Sequence, residues 1–74
     1  MAYSGEAFGH RLKVARVDAR LTQRELSALT GIDVGSIARY ESGTITPGLD
    51  RAYMLADALG VTLDDLCPIG REVA

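Results

Sequence analysis

Apolar residues near the start of the chain recur at helical spacing. Intervals of four, three and four residues separate the members of this stripe, which are Phe8, Leu12, Ala15 and Ala19. Side chains at such intervals lie on one face of an α-helix. The pattern therefore predicts a first helix over about residues 6–19.

The next segment carries the start and stop signals of a short helix. Thr22 can cap the helix, and Glu25 can complete a capping box with it. The helix is expected to begin at Gln23 and to end at Gly31, because glycine tolerates the left-handed conformation that follows many helices. The residues expected to face inward are Leu26 and Leu29.

The same order of signals occurs again in residues 33–43. Asp33 is a suitable N-cap, and a glycine at position 43 again marks the end of a helix. Ile37 and Tyr40 are expected to face the core of the protein. Helices two and three are therefore both short, both separately capped and joined by a tight turn at Gly31, which is typical of a helix-turn-helix.

Two further helices are predicted in the last third of the chain. The fourth runs from about Leu49 to Leu59 and ends at Gly60, and Thr62 caps a short fifth helix that Pro68 closes. No segment alternates as a strand does, so the fold class is all-α. One apolar face of the fourth helix is expected to comprise Leu49, Ala52, Ala56 and Leu59.

These segments resemble the lambda-type phage repressor and Cro family of DNA-binding domains, which are XRE-like transcriptional regulators. The resemblance extends from about Phe8 to Cys67 and implies a compact five-helix domain. It also implies a flexible N-terminal arm (residues 1–5), a DNA-binding domain (6–67) and a C-terminal tail (68–74). The matching letters are LTQRELS (21–27), TG (30–31), SIARYESG (36–43), LADALGV (55–61) and LDDL (63–66).

The resemblance assigns DNA contacts to several positions. Gln23 at the start of helix two would contact a phosphate, although it is equally a residue type found at solvated helix starts. Arg39 is the only long donor on the outward side of helix three, so it would read a guanine or, alternatively, bind a phosphate. The full set of proposed DNA-binding residues is Gln23, Arg24, Asp33, Val34, Gly35, Ser36, Arg39, Ser42 and Thr44.

Some of these positions have competing interpretations. Better-known members often carry two glutamines where this chain has Val34 and Gly35, so the base code is not inherited. Val34 suits a thymine methyl group, and Gly35 either allows a close approach to DNA or is simply tolerated in a first helical turn. Asp33 is better explained as a helix cap than as a base reader.

The turn and one charged pair complete the expected site. Ser42 and Thr44 would face a phosphate, or they would simply form the C-terminal turn of helix three. The resemblance also implies a structural ion pair between Arg16 and Glu41, since a carboxylate on a buried face needs a cation.

Charge and composition change the picture in one respect. The 74 residues carry a net charge of −2, which at first argues against a nucleic-acid partner. The charge is unevenly distributed, since residues 1–39 sum to +2 and residues 40–74 to −4. Five cations just before and inside the helix-turn-helix are therefore expected to lie where phosphates would be, although some of them form a solvated helix face. They are Arg11, Lys13, Arg16, Arg20 and Arg24.

The remaining chemistry excludes several classes of protein. One cysteine and one histidine make neither an internal disulfide nor a metal site, and the longest apolar run is far too short to span a membrane. No glycine-rich phosphate loop or catalytic constellation is present, so an enzyme is not expected. We therefore expect a cytoplasmic protein with no cofactor, no metal, no membrane partner and no small-molecule ligand.

The function predicted is that of a dimeric regulator, a repressor of Cro-like or controller type that binds a palindromic operator in double-stranded DNA. The alternative is a protein-interaction module, such as an antitoxin or adaptor, which the acidic second half favours. One small domain reads few base pairs, so a homodimer is expected. The candidate dimer surface comprises Leu63, Leu66, Cys67, Ile69 and Val73, and each of these residues could equally belong to the core or to a frayed end.

Overall fold

The computed structural model describes residues 5–67, and within them it contains five α-helices joined by short turns. The all-α prediction is confirmed. The N-terminal arm and the C-terminal tail lie outside the described residues, except that Gly5 is the first residue of helix α1. The helices are α1 (Gly5–Asp18), α2 (Gln23–Thr30), α3 (Val34–Ser42), α4 (Leu49–Leu59) and α5 (Leu63–Leu66).

Side-chain caps begin three of these helices as the sequence predicts. The Thr22 hydroxyl accepts from the Glu25 N–H at 3.0 Å, and the Glu25 carboxylate accepts from the Thr22 N–H at 2.8 Å. Thr62 and Asp65 form the same reciprocal pair at the start of α5. These caps satisfy N–H groups that a helix start leaves without partners, so α2 and α5 are specified locally despite their shortness.

Left-handed residues end four helices. Gly31, Gly43 and Gly60 follow α2, α3 and α4 with φ between 70° and 80°. Arg20 takes the same role after α1 with φ of 62°, which the sequence did not reveal because no glycine marks this position. Its N–H and that of Leu21 donate to the carbonyls of Val17 and Arg16, closing the last turn of α1.

One aliphatic core lies between the helices. Tyr40 of α3 contributes its ring and remains 4% exposed. Every helix contributes at least one buried side chain to this core, so all five helices are held together by it. The fully buried large side chains are Phe8, Leu12, Leu26, Ile32, Ile37, Leu55 and Leu66.

Helix α1 crosses the back of α3 at very close range. Gly9 is buried at the crossing, where a Cβ atom would lie 2.5 Å from the carbonyl oxygen of Glu41 and closer still to that of Tyr40. No side chain fits there, because carbon and oxygen cannot approach so closely. The backbones of α1 and α3 therefore meet directly, and this contact fixes how α3 is presented on the opposite side.

Three apolar residues of the predicted helix faces lie outside the core, among them Leu29, which the sequence predicts to face inward. Ala19 is exposed because α1 ends at Asp18. Leu29 is 62% exposed, since the two-turn helix α2 places it at the rim of a shallow cleft beside α4 rather than in the core. Leu49 is 71% exposed because it occupies the first turn of α4, and Leu55 fills the core instead.

Within the described residues, no helix is long and apolar enough to cross a membrane.

Candidate nucleic-acid interface

The exposed start of α3 is held by Asp33. Its carboxylate accepts from the Ser36 N–H at 2.9 Å and from the Ser36 hydroxyl at 2.8 Å. These bonds hold the pKa of Asp33 below its usual value, with the hydroxyl contributing most. The Ser36 hydroxyl therefore uses its one hydrogen in the bond to Asp33. Toward the outside it can act only as an acceptor, through its lone pairs.

Arg39 is exposed and lies over the same turn. A Cβ atom on Gly35 would stand 3.3 Å from the Asp33 carboxylate and 3.9 Å from a guanidinium nitrogen of Arg39. Gly35 thus lies between the Asp33 carboxylate and the Arg39 guanidinium. Val34, 37% exposed, adds a small apolar contact beside them. The outer side of α3 therefore offers one strong donor group, an apolar contact and a glycine without a side chain.

The inner side of α3 is anchored by an ion pair. Arg16 Nε donates to Glu41 Oε2 at 2.6 Å, and Arg16 Nη2 donates to Glu41 Oε1 at 3.1 Å. Hydrogen bonding to Glu41 raises the pKa of Arg16. Arg16 Nη1 donates to the Leu21 carbonyl at 2.7 Å, so all three guanidinium nitrogens are engaged inside the protein. The pair has the partners that the sequence predicts, and Arg16 is not free to reach a phosphate.

Gln23 is tied into this ion pair. Its Nε2 donates to Glu41 Oε1 at 3.0 Å, which fixes the amide at the N-terminus of α2. An amide nitrogen carries two hydrogens, so one remains for an outside acceptor. Arg24 is exposed one residue further along α2. This part of the surface can therefore donate to an anion from a position set by the core.

The turn after α3 uses its own backbone groups. The N–H groups of Gly43 and Thr44 donate to the carbonyls of Tyr40 and Arg39, at 3.2 and 3.0 Å. The hydroxyls of Ser42 and Thr44 lie 2.8 Å apart at the surface. The turn is thus a C-terminal cap, and its outward-facing polar groups are these hydroxyls rather than its N–H groups.

One cation beside α3 had no role in the sequence interpretation. Arg51, on α4, donates from Nη1 to the Tyr40 hydroxyl at 3.0 Å. Its charge also contributes to the lowered pKa of Asp33. Counting charges by chain segment had grouped Arg51 with the acidic half, and nothing in the spacing indicates that α4 returns it to α3.

Comparisons with known proteins agree with this geometry. The helix-turn-helix family profile matches residues 12–66, which is most of the chain. The chain belongs to the helix-turn-helix family. The α2–α3 pair is therefore the helix-turn-helix itself, and α1, α4 and α5 pack around it.

Two curated relatives carry regulatory names. An uncharacterised HTH-type transcriptional regulator of Sinorhizobium fredii is 38% identical over 63 residues, 85% of this chain and 32% of that protein. The cryptic phage CTXphi transcriptional repressor RstR of Vibrio cholerae is 35% identical over 57 residues, 77% of this chain and 51% of the repressor. The chain thus spans a third to a half of the relatives it matches.

A solved structure matches over almost its whole length. The restriction-modification controller protein C.AhdI from Aeromonas hydrophila superposes with a TM-score of 0.80 and 31% sequence identity. The match covers 84% of this chain and 94% of the controller protein. This chain and C.AhdI therefore share the complete five-helix helix-turn-helix domain.

The basic residues do not all surround the helix-turn-helix pair. Arg16 is neutralised by Glu41, and Arg11 borders an open groove of about 690 Å³ between α1 and α5, together with Asp18 and Asp65. The expectation that the cations of the first two helices cluster at the DNA face is therefore wrong in part. Sequence order groups residues that α1 distributes over different sides.

For three residues of the candidate dimer surface, the structure favours the alternative that they belong to the core. Leu66 is 1% exposed and belongs to the core, while Leu63 and Cys67 pack against it half-buried. These side chains are already used inside the helix-turn-helix domain. Ile69 and Val73 lie outside the described residues.

Among residues 5–67, no group of histidine, cysteine, aspartate and glutamate side chains could hold a metal ion.

Proposed function

We propose that this helix-turn-helix chain is a sequence-specific, DNA-binding transcriptional regulator, a repressor of Cro-like or controller type. It binds double-stranded DNA with α3 in the major groove. The names of the similar proteins, a regulator, a repressor and a controller protein, support this function. A protein of this kind acts in the cytoplasm, where it meets the operator.

The proposal rests on a difference between two arginines of the domain, since Arg16 is hydrogen-bonded inside the protein and Arg39 is exposed. The Arg16 guanidinium donates to partners inside the protein, whereas Arg39 is exposed on α3 beside the half-buried Gly35. A guanidinium there can donate two parallel hydrogen bonds to guanine O6 and N7. Val34 would meet a thymine methyl group, and the Ser36 lone pairs would accept from a base amine.

The other contacts hold the protein to the backbone. Gln23 and Arg24 would donate to phosphates at the start of α2. The Ser42 and Thr44 hydroxyls would face a phosphate beyond the end of α3, where Ser42 can donate to it only by releasing the Arg39 carbonyl, to which it donates at 3.1 Å. Asp33 positions α3 without reading a base. The chain binds its operator as a homodimer, with half-sites about 34 Å apart on a palindrome.

Selection from a random DNA pool tests the whole proposal. The purified chain is incubated with the pool at two salt concentrations, and bound fragments are sequenced. We expect a palindromic consensus whose affinity falls steeply as salt rises. Saturable binding to no fragment at either concentration contradicts the regulator function, and a consensus without twofold symmetry contradicts the dimer.

A protein-interaction module is the second candidate, and one observation favours it. Leu29, Tyr53 and Met54, all exposed, line the cleft of about 310 Å³ between α2 and α4. Exposed apolar clefts are common at protein contacts. An antitoxin or adaptor of this kind would bind a protein through the cleft, and its free form would show no salt-dependent selection of DNA.

A further inference from the structure

Arg51 is the cation that the tertiary structure, rather than the sequence order, places beside α3. It lies in the first turns of α4, in the half of the chain with net negative charge. Its side chain nevertheless reaches across to Tyr40, in the last part of α3, at 3.0 Å. An arginine of the acidic half therefore flanks the helix that would enter the groove.

The surroundings of Arg51 leave its charge available. The hydrogen bond to the Tyr40 hydroxyl raises the pKa of Arg51, and a guanidinium is in any case charged at neutral pH. Arg51 donates one of its five guanidinium N–H groups to Tyr40, and the Arg51 side chain is exposed. Unlike Arg16, Arg51 does not form a close ion pair in the described structure.

The charge of Arg51 also acts on the one carboxylate at the start of α3. The attraction between Arg51 and Asp33 shifts the pKa of both groups toward their charged forms, as a smaller cause than the hydrogen bonds that each group makes. Asp33 by itself would repel the phosphates that border the groove, because like charges repel. Arg51 reduces that repulsion, and the donors that it does not use on Tyr40 remain at the surface.

We propose that Arg51 is a phosphate-contacting residue of the DNA interface and that the Tyr40 hydroxyl positions its side chain. This assignment rests on the proposed function, because it specifies one more contact within the same complex. Phosphates lie on both sides of a major groove, so a cation flanking a helix in the groove faces one of the two backbones. The contact is independent of base identity.

The test is the salt dependence of DNA binding by the full chain. Fluorescence anisotropy is measured on the selected operator and on an unrelated duplex, each at several salt concentrations. Arg51→Ala is expected to bind both duplexes about tenfold more weakly at low salt and to lower the salt slope by about one. Arg51→Lys keeps the charge and should retain the slope.

A matched control removes an equal charge elsewhere. Arg11→Ala deletes an exposed arginine from the groove between α1 and α5, and its slope should equal that of the unmodified chain. Tyr40→Phe removes the tether but no charge, so it should weaken binding several-fold with an unchanged slope. Thermal melts of each variant verify that it is folded.

The outcomes separate the two proposals. If the unmodified chain binds no DNA, the regulator function is wrong and the role of Arg51 falls with it. If the unmodified chain binds and folded Arg51→Ala has the same affinity and slope, the role of Arg51 alone is wrong. A loss confined to the operator, or a similar loss in Arg11→Ala, also overturns the phosphate contact.

Discussion

The two sides of α3 differ in what surrounds them. On the inner side, Ile37 is fully buried, Gly9 meets the α3 backbone directly, and Glu41 is held by Arg16. On the outer side, Arg39 is exposed, and the hydrogen bonds found there are the local ones of the helix cap. The inner side therefore determines whether α3 is placed at all, and the outer side determines what it can bind. Substitutions should separate stability from DNA recognition along this division.

The largest expected effect comes from adding one methyl group on the inner side. In Gly9→Ala, the new carbon would overlap the carbonyl oxygens of Tyr40 and Glu41, so α1 and α3 must separate. We expect the free energy of unfolding to fall by about 3 kcal/mol or more, because backbone atoms cannot move aside as a side chain does. Urea denaturation followed by circular dichroism measures the change.

The same substitution on the outer side is the matched control. Gly35→Ala adds a methyl group 3.3 Å from the Asp33 carboxylate, which is a side chain that can shift. We expect a change of at most about 1 kcal/mol, toward greater stability, because alanine favours the helix. Equal losses in Gly9→Ala and Gly35→Ala would contradict the division between the two sides.

Breaking the ion pair is expected to have the next largest effect. Arg16→Met leaves Glu41, whose side chain is 5% exposed, without its cation. The free energy of unfolding should fall by about 3 kcal/mol, since an unpaired buried charge is costly. The double variant Arg16→Met with Glu41→Leu should recover most of that loss, because no lone charge remains. If both variants are equally unstable, the pair itself rather than the stranded charge carries the stability.

On the outer side, the expected effect is on binding rather than on folding. Arg39→Ala should cost about 1–3 kcal/mol of binding free energy at one base pair of each half-site. Its melting temperature should match that of the unmodified chain, because Arg39 is exposed. Selection of DNA by the variant measures this, with Arg39→Lys as the control, since lysine cannot donate two parallel bonds to guanine. A uniform loss over all sequences makes Arg39 a phosphate contact.

The smallest expected effect is a pH dependence at the start of α3. Hydrogen bonds from Ser36 lower the pKa of Asp33 in the folded protein, so its charged form is favoured by folding. This contribution is present above the unfolded pKa of about 4 and is lost as pH falls through the lower folded value. Asp33→Asn still caps the helix and does not titrate. The unmodified chain should therefore lose stability relative to Asp33→Asn in thermal melts at falling pH, and parallel curves would contradict this.

Local signals account for most of the fold that the sequence predicts. The capping box at Thr22, the Asp33 cap and the glycines at the ends of α2, α3 and α4 act over a few residues, so their positions can be recognised in a single chain. The end of α1 was placed only approximately, because Arg20 adopts a glycine-like conformation without being glycine. Helical spacing alone also misplaced Leu29 and Leu49, since burial depends on which neighbour covers each turn.

The amino-acid sequence by itself determined the five helices, their caps and the outward position of Arg39, because these follow from spacing within single turns. Only the tertiary structure decided which charged side chains are bonded inside the protein and which are available to bind DNA. It engaged all three guanidinium nitrogens of Arg16 internally, fixed Gln23 on Glu41, and brought Arg51 from α4 to the side of α3. The physical reason is that the crossing of α1 over α3 at Gly9 and the packing of α4 set these distances. No local sequence pattern shows how distant segments meet.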